Sequence, residues 1–495
     1  MNRLHIARYL LSLSDYAART ELRLPSLLLS ACLLCACAAP TAKVLASRDL
    51  PGNLLILVSD DQSRCDLAAY GNPACRTPHL DQLAAEGMRF ERGYTPVPIC
   101  MPSRACYYTS LYPHQNGAMG FVPIREDVAT WPELLAGHCA TGMIGKFNVL
   151  PRAKFPFEYY HGTGSLPGEA RQPIKYEQLF RDFLAQAGDR RFALIVNLRD
   201  PHRPFDPQHY TAAEHGRADS DPPPVTAPAD VWVPPFLWDT PATRTELAKY
   251  YGAELRLDDT VGLILSALED AGHRDDTLVI FTSDNGMPFP FAKTTLYEPG
   301  INLPFIVRWP GVVEPGSSSE AMVSLMDLLP TALESFGVEP TDRSKAGLEG
   351  RSLLPLLRGE TDSIRDSVFA AQDGQLGSPD CPSRAIRERR YKYIRNFRPG
   401  TEFTNMVLEF SNTWRSWERE AEDHPELAAR MDALRIRAPE ELFDLERDPW
   451  ELNDLARDPG HAEVLHRLQR RLRAWMARTG DPLLDEWPEQ AGTDS

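Results

Sequence analysis

Residues 53–59 read NLLILVS, an apolar run without alternation that stops abruptly at Asp60-Asp61. The run is too short for a helix, and its lack of alternation requires both of its faces to be dry. Strands buried on both faces belong to sheets covered by helices on either side, and those sheets are mainly parallel. Comparable runs occur at 142–145, 193–198, 278–283 and 304–309. Helical patterns separate them, including Pro78 to Gly87, with Thr77 as cap and proline at the first position, and Thr243 to Ala271. This alternation predicts an α/β fold: a large domain with a mainly parallel sheet sandwiched by helices. Beyond Arg365 the pattern changes. Residues 367–372, 389–397 and 441–445 read as strands and 462–478 as an amphipathic helix, which predicts a small C-terminal antiparallel sheet packed with a helix. The expected organisation is an export segment and linker over 1–47, a principal domain over 48–365 and an α+β subdomain over 366–495. No internal repeat or low-complexity domain is found.

The export segment is read from residues 24–36, LPSLLLSACLLCA, flanked by Arg19 and Arg23 and followed by small residues. It is too short to span a bilayer comfortably. It resembles a bacterial lipoprotein signal, with Cys32, Cys35 or Cys37 available for processing; plain cleavage near Ala38 or Ala39 is the alternative. The expected location is therefore the bacterial periplasm, or the outer membrane through a lipid anchor. The formal charge of −16, from 53 basic and 69 acidic residues, argues against nucleic acid as a partner. Of the nine cysteines, six lie beyond the signal, and none forms a CxxC pair or a Cys/His ligand spacing, so zinc is not expected. An exported chain could oxidise Cys65 with Cys75; free buried thiols are the other reading.

The residues at the ends of the strand runs are more informative. One run ends in Asp60-Asp61, another in Asp284-Asn285-Gly286, a third in Asp200-Pro201-His202 and a fourth in Lys146. Singly, each has an ordinary reading as turn or loop chemistry. Together they occupy the carboxyl ends of successive strands, where ligand sites of open parallel sheets gather. Asp60, Asp61, Asp284 and Asn285 are all oxygen donors, a set that suits calcium or magnesium rather than zinc.

Residues 99–117 read ICMPSRACYYTSLYPHQNG, in which Cys100-Met101-Pro102-Ser103-Arg104 matches a C-x-P-S-R signature. With the acidic strand ends on either side of it, the chain resembles the formylglycine-dependent sulfatases of the alkaline-phosphatase superfamily over roughly Asn53 to Trp475. The resemblance implies that a formylglycine-generating enzyme oxidises Cys100 to formylglycine. It also implies that one Ca2+ is held by Asp60, Asp61, Asp284, Asn285 and the converted Cys100. Lys146 and Lys293 would bind sulfate oxygens, Arg104 would clamp the site beside the converted residue, and His202 would protonate the leaving atom. Asp284 is a further candidate to activate the nucleophile. A hydrated aldehyde suits this chemistry because one hydroxyl can attack sulfur while the other, by losing its proton, lets the sulfate leave. Pro102 can start a helix whose N-terminus adds positive potential there.

Several strings are similar to the N-sulfoglucosamine sulfohydrolase (sulfamidase, heparan N-sulfatase) branch of that family: SLYPHQNGAMG, RDPHRPF, VPPFLWDTPATRTELAKYYGAELRLDDTVG and SDNGMPFPFAKTTLYEPG. They imply cleavage of the N-sulfate of non-reducing-end glucosamine in heparan sulfate or heparin, with a homodimer left open. The alternatives are an O-sulfatase on another sulfated glycan, a phosphonate or phosphodiester hydrolase, and a non-catalytic sulfated-sugar-binding lipoprotein. Two departures bear on the choice. The usual Thr-Gly-Arg or Thr-Gly-Lys is Thr109-Ser110-Leu111, and the family's Gly-Lys-x-His is Gly145-Lys146-Phe147-Asn148. Asn148 can hydrogen-bond near the converted residue but cannot act as a base at neutral pH. Residues 384–398, RAIRERRYKYIRNFR, form the dense basic stretch and read as a solvated face or as a cleft border; Trp414 and Trp417 read as core rather than sugar platform.

Overall fold

Strand β1 (Asn53–Asp60) is buried at every position, as its unbroken apolar run requires, and lies between β5 (Phe192–Pro201) and β6 (Thr277–Ser283), parallel to both. This computed structural model describes residues 50–162, 171–205, 226–339, 347–373 and 380–487, all within one compact unit. The segment read as an export signal lies outside the described residues. Among those described, no helix is long and apolar enough to cross a membrane.

Beyond β5, the sheet continues through β3 (Ala140–Gly145) to β4 (Tyr159–Gly162), with both pairings parallel. Beyond β6 it becomes mixed. Strand β8 (Phe305–Arg308) runs antiparallel to β6 and leads to β2 (Met88–Tyr94), which also pairs with β7 (Asn302–Leu303) and β9 (Ser317–Ser324). The run at 304–309 is thus a strand, but an antiparallel one. Its link from β6 carries only the four-residue helix Glu298–Ile301, whereas a parallel return usually travels through a crossover helix.

Successive side chains of β1 point to opposite faces. Leu54, Ile56 and Val58 enter a core with Ala105 and Tyr108 of the helix Cys100–Thr109 and Leu329 of the helix Leu328–Ser335. Leu55 and Leu57 enter the opposite core with Phe180 of the helix Pro173–Ala187 and Leu257 of the helix Pro241–Asp270. The helix Pro78–Glu86 begins with proline as expected, but the Thr77 hydroxyl makes no capping bond. The Asp258 carboxylate accepts from the backbone N–H groups of His79 (3.1 Å) and Leu80 (2.8 Å) instead, so the cap comes from the long helix.

The second sheet is antiparallel, in the order β10 (Ser367–Gln372), β11 (Ser383–Glu388), β12 (Tyr391–Asn396), β13 (Glu440–Asp444). Ile386, Tyr393 and Leu442 pack under Leu468, Leu472 and Met476 of the helix Ala462–Thr479. Trp414 and Trp417 are buried core residues. Cys65 and Cys75, like the other four described cysteines, are free thiols.

The basic stretch is a solvated face only in part: Arg389 is exposed and Arg390, Arg395 and Arg398 are half-buried, but the other three cations turn inward. Arg384, Arg387 and Lys392 are buried. Arg384 pairs with Asp373 at 2.9 Å and with Asp481, while the Lys392 ammonium lies between Glu298, at 3.2 Å, and Glu451. Acids supplied by the loop before β7 and by the segment after β13 allow these cations to turn inward. Breaking a buried pair leaves an uncompensated charge, so Lys392→Ala should cost about 3–5 kcal/mol in urea unfolding. A loss below about 1 kcal/mol, the usual value of an exposed pair, contradicts this assignment.

Candidate active site

Strands β1 and β6 pair in register as far as Ser59 opposite Ser283, so Asp60-Asp61 and Asp284-Asn285 leave the sheet side by side. Asp61 turns the chain through a left-handed conformation (φ 71°), which aspartate tolerates better than most residues. Its N–H donates to Asp284 Oδ1 at 3.1 Å, and Asn285 Nδ2 donates to Asp61 Oδ1 at 2.8 Å. The Tyr250 hydroxyl donates to the Asp61 carbonyl at 2.9 Å. Glycine is needed at 286, where a Cβ would stand 1.8 Å from the Pro299 carbonyl oxygen.

The helix Cys100–Thr109, buried at all ten positions, brings its N-terminus to these acids. Ser103 Oγ donates to the Asp284 carbonyl at 2.6 Å and fixes the helix against the strand end. The fully buried Arg104 guanidinium lies 2.7 Å from Asp284 Oδ2 and 3.8 Å from Asp60 Oδ2, and donates to the Lys146 carbonyl at 3.0 Å. Ser110 takes a left-handed conformation (φ 55°) at the position of the family's glycine. Its hydroxyl donates to the Met326 carbonyl at 2.9 Å and accepts from the Gly350 N–H at 3.0 Å.

From the end of β3, the Lys146 ammonium pairs with Asp60, and the Lys146 N–H donates to the Asn197 carbonyl at 2.9 Å. Two residues on, Asn148 (φ 50°) brings Nδ2 to 3.4 Å from Cys100 Sγ. From the loop after β6, Lys293 pairs with Asp61. From the end of β5, His202 Nε2 lies 3.8 Å from Asp61 Oδ2.

The charges shift one another. Burial disfavours the ionised form of both Asp60 and Asp284, but the Lys146 ammonium, then His202 and Arg104, hold Asp60 well below the usual carboxylate range. Burial prevails at Asp284, opposed by Arg104 and assisted by Asp60, and its carboxyl is pushed up to about 6. His202 is pulled down to about 4 by burial and then by the Lys146 ammonium. Burial opposes the charge on Lys293, but Asp61 outweighs it and its ammonium titrates above the usual range.

These residues fit a cation. Asp60 Oδ1 and Asn285 Oδ1 are buried without a hydrogen-bond partner, which is costly unless another group satisfies them. Asp60, Asp61 and His202 offer ligand atoms within 4.8 Å of one another. The orphaned atoms are oxygens with carboxylate neighbours, the donor class of a hard cation. Asp60, Asp284 and Asn285 are fully buried, whereas the Lys146 and His202 side chains are 12% and 29% exposed, so the cluster opens toward solvent on their side.

Every residue expected at the site (Asp60, Asp61, Cys100, Arg104, Lys146, Asn148, His202, Asp284, Asn285 and Lys293) is thus brought to one place by four strand ends and a helix N-terminus. Asp200 is the exception among the strand-end acids. Its carboxylate turns away to Arg171 and Arg256. Sequence reasoning missed both arginines. Arg171 follows a stretch without pattern and carries no signal, whereas Arg256, between the buried Leu255 and Leu257, is a charge on an otherwise apolar stripe, and that contrast could have marked it.

The family model described as Sulfatase matches residues 52–338, and one described as N-sulphoglucosamine sulphohydrolase, C-terminal, matches residues 289–409. N-sulphoglucosamine sulphohydrolase of Homo sapiens is 36% identical over 488 residues, covering 91% of this chain and 95% of that protein. An ulvan-active sulfatase of Formosa agariphila is 30% identical over 441 residues, covering 87% and 81%. Among solved structures, a protein in complex with its substrate D-glucosamine-2-N,6-O-disulfate matches with a TM-score of 0.65 at 20% identity, covering 89% of this chain and 100% of that one. The phosphonate monoester hydrolase of Agrobacterium radiobacter matches with a TM-score of 0.66 at 20% identity, covering 87% and 96%. At these identities the structural likenesses show the fold alone.

The donor set yields a direct expectation for the folded protein. In thermal melts after chelation, calcium at a hundredfold excess over its dissociation constant should add about 2.7 kcal/mol of stability. Asp60→Asn should abolish most of that response. A wild-type melt that calcium does not move contradicts the assignment.

Proposed function

Since this chain belongs to the sulfatase family and is a sulfatase acting on sulfated sugars, we propose that it removes the N-sulfate of non-reducing-end glucosamine in heparan sulfate or heparin fragments. The observation that carries the substrate is the 36% identity to N-sulphoglucosamine sulphohydrolase across 91% of the chain. Residues 48–365 supply the catalytic side chains in this reading, and 366–495 form a C-terminal subdomain that packs against them.

Cys100 is the residue to be converted to formylglycine. It stands first in its helix, 6% exposed, where unpaired backbone N–H groups favour negative charge. Because that helix is buried along its whole length, the formylglycine-generating enzyme must act before the chain folds. Asp60, Asp61, Asp284 and Asn285, with the converted residue, would hold one calcium ion, which supplies Lewis-acid polarisation and neutralises the clustered carboxylates.

The remaining steps belong to side chains. Lys146 and Lys293, each anchored on a carboxylate of the cluster, offer ammonium donors to sulfate oxygens. Arg104 keeps Asp284 and Asp60 oriented, and the Asp284 carboxylate takes the proton of the attacking hydroxyl. His202, on the open side, presents Nε2 to the departing nitrogen: the doubly protonated ring gives up its Nε2 proton there and is left neutral, with its remaining hydrogen on Nδ1. Asn148 Nδ2 donates a hydrogen bond to the group on Cys100 and so orients it, without the capacity to accept a proton in its turn. Export to the periplasm or to a lipid anchor in the outer membrane places the enzyme where extracellular saccharides arrive.

Cys100→Ala should reduce sulfate release by more than about a thousandfold, as loss of a nucleophile does, with an unchanged thermal melt in the calcium-free state. Side-by-side assays on sulfamate, sulfate ester and phosphodiester substrates complete the test. Full activity in the alanine variant, or a preference for the phosphodiester, refutes the proposal.

A further inference from the structure

The backbone that carries His202 is held by a set of buried charges that the chemistry above does not use. His202 Nδ1 lies 2.6 Å from the Arg203 carbonyl oxygen. A carbonyl only accepts, so Nδ1 carries the hydrogen and Nε2 is the nitrogen presented to the site. The same carbonyl oxygen accepts from Arg171 at 3.1 Å. Arg171 also pairs with Asp200 Oδ1. Asp200 is gripped a second time by Arg256, which donates through Nε to Oδ2 at 2.7 Å and through its terminal nitrogen to Oδ1 at 2.6 Å. Asp200, Arg171 and Arg256 are 4%, 5% and 0% exposed. On the other side, the Arg203 guanidinium reaches the Pro288 carbonyl at 3.0 Å and pairs with Glu246.

Two buried guanidinium groups converge on the Asp200 carboxylate. Arg256 alone makes the two-pronged contact that satisfies Asp200. Burying a second arginine carries a desolvation cost that the pairing with Asp200 does not explain. What Arg171 adds is the bond to the Arg203 carbonyl, the atom that fixes the histidine ring. We propose that Arg171, anchored by the Asp200–Arg256 pair, is a positioning residue for His202. By holding the Arg203 carbonyl it keeps Nδ1 as donor and Nε2 aimed at the leaving group. This inference rests on the reading of His202 as the acid of the reaction.

The test is leaving-group dependence, measured on calcium-loaded enzyme whose conversion at Cys100 is verified by mass. A sugar sulfamate needs its departing nitrogen protonated, whereas an activated aryl sulfate such as 4-nitrophenyl sulfate departs as a stable anion. Arg171→Ala should lose about 10- to 100-fold in kcat on glucosamine N-sulfate, the scale of a misplaced catalytic group. It should lose less than about threefold on the aryl sulfate, whose departure calls for little general-acid assistance. Arg171→Lys, able to reach one partner at a time, should recover part of the loss. In protein labelled with 15N-histidine, the His202 signal, assigned by its disappearance in His202→Gln, should show the Nδ1–H tautomer and lose that purity in Arg171→Ala. Equal losses on both substrates, or an unchanged tautomer, overturn the proposal. His202→Ala serves as control. If His202→Ala shows no selectivity between the substrates, the reading of His202 falls and takes the inference with it. If it shows selectivity while Arg171→Ala does not, only the inference falls.

Discussion

Ser59 opposite Ser283 is the pairing on which the site depends. Parallel strands in register end at the same level, so Asp60, Asp61 and Asp284, which follow them, emerge together. Three buried carboxylates in one place repel each other and lose their hydration. The fold answers with Arg104 from a buried helix, Lys146 from β3 and Lys293 from the loop after β6. Three acceptor oxygens still make no hydrogen bond, on Asp60, Asp284 and Asn285, and of these the Asp284 oxygen lies against Arg104. Buried oxygens left this way are the donors that a hard cation would satisfy.

The buried strands and their chemistry-bearing ends were legible because both follow local rules. An unalternating apolar run has one structural use, and a charge placed at its carboxyl end has few reasons to be there. The C-x-P-S-R string pointed to a helix whose N-terminus the structure brings to the acids at the strand ends. The features hidden from the sequence depend on partners distant in the chain. Strands β11 and β12 read as charged surface, and acids at 298, 373, 451 and 481 let Arg384, Arg387 and Lys392 be buried. The cap of the helix Pro78–Glu86 comes from Asp258, far along the chain, so the local signal at Thr77 misled. The antiparallel course of β8 was hidden for the same reason, since direction is decided by the path of the connection and not by the strand.

The seam between the two sheets follows the same logic as the site. Glu298 begins a short helix in the loop that leaves Asp284, and it pairs with Lys392 and Arg387 of the second sheet. The loop that carries Lys293 is therefore fixed at its far end by buried ion pairs. The C-terminal sheet thus holds the segment from which the Lys293 ammonium reaches Asp61. Asp200 is the complementary case, an acid at a strand end whose carboxylate turns to Arg171 and Arg256.

Release of sulfate from glucosamine N-sulfate, compared with its 6-O-sulfate isomer and using protein whose conversion at Cys100 is confirmed by mass, tests the account most directly. Preferential N-desulfation is the predicted result, and it would show that Asn148 serves where the family carries histidine. No turnover of the N-sulfate by fully converted, calcium-loaded protein, or a clear preference for the 6-O-sulfate, would contradict it.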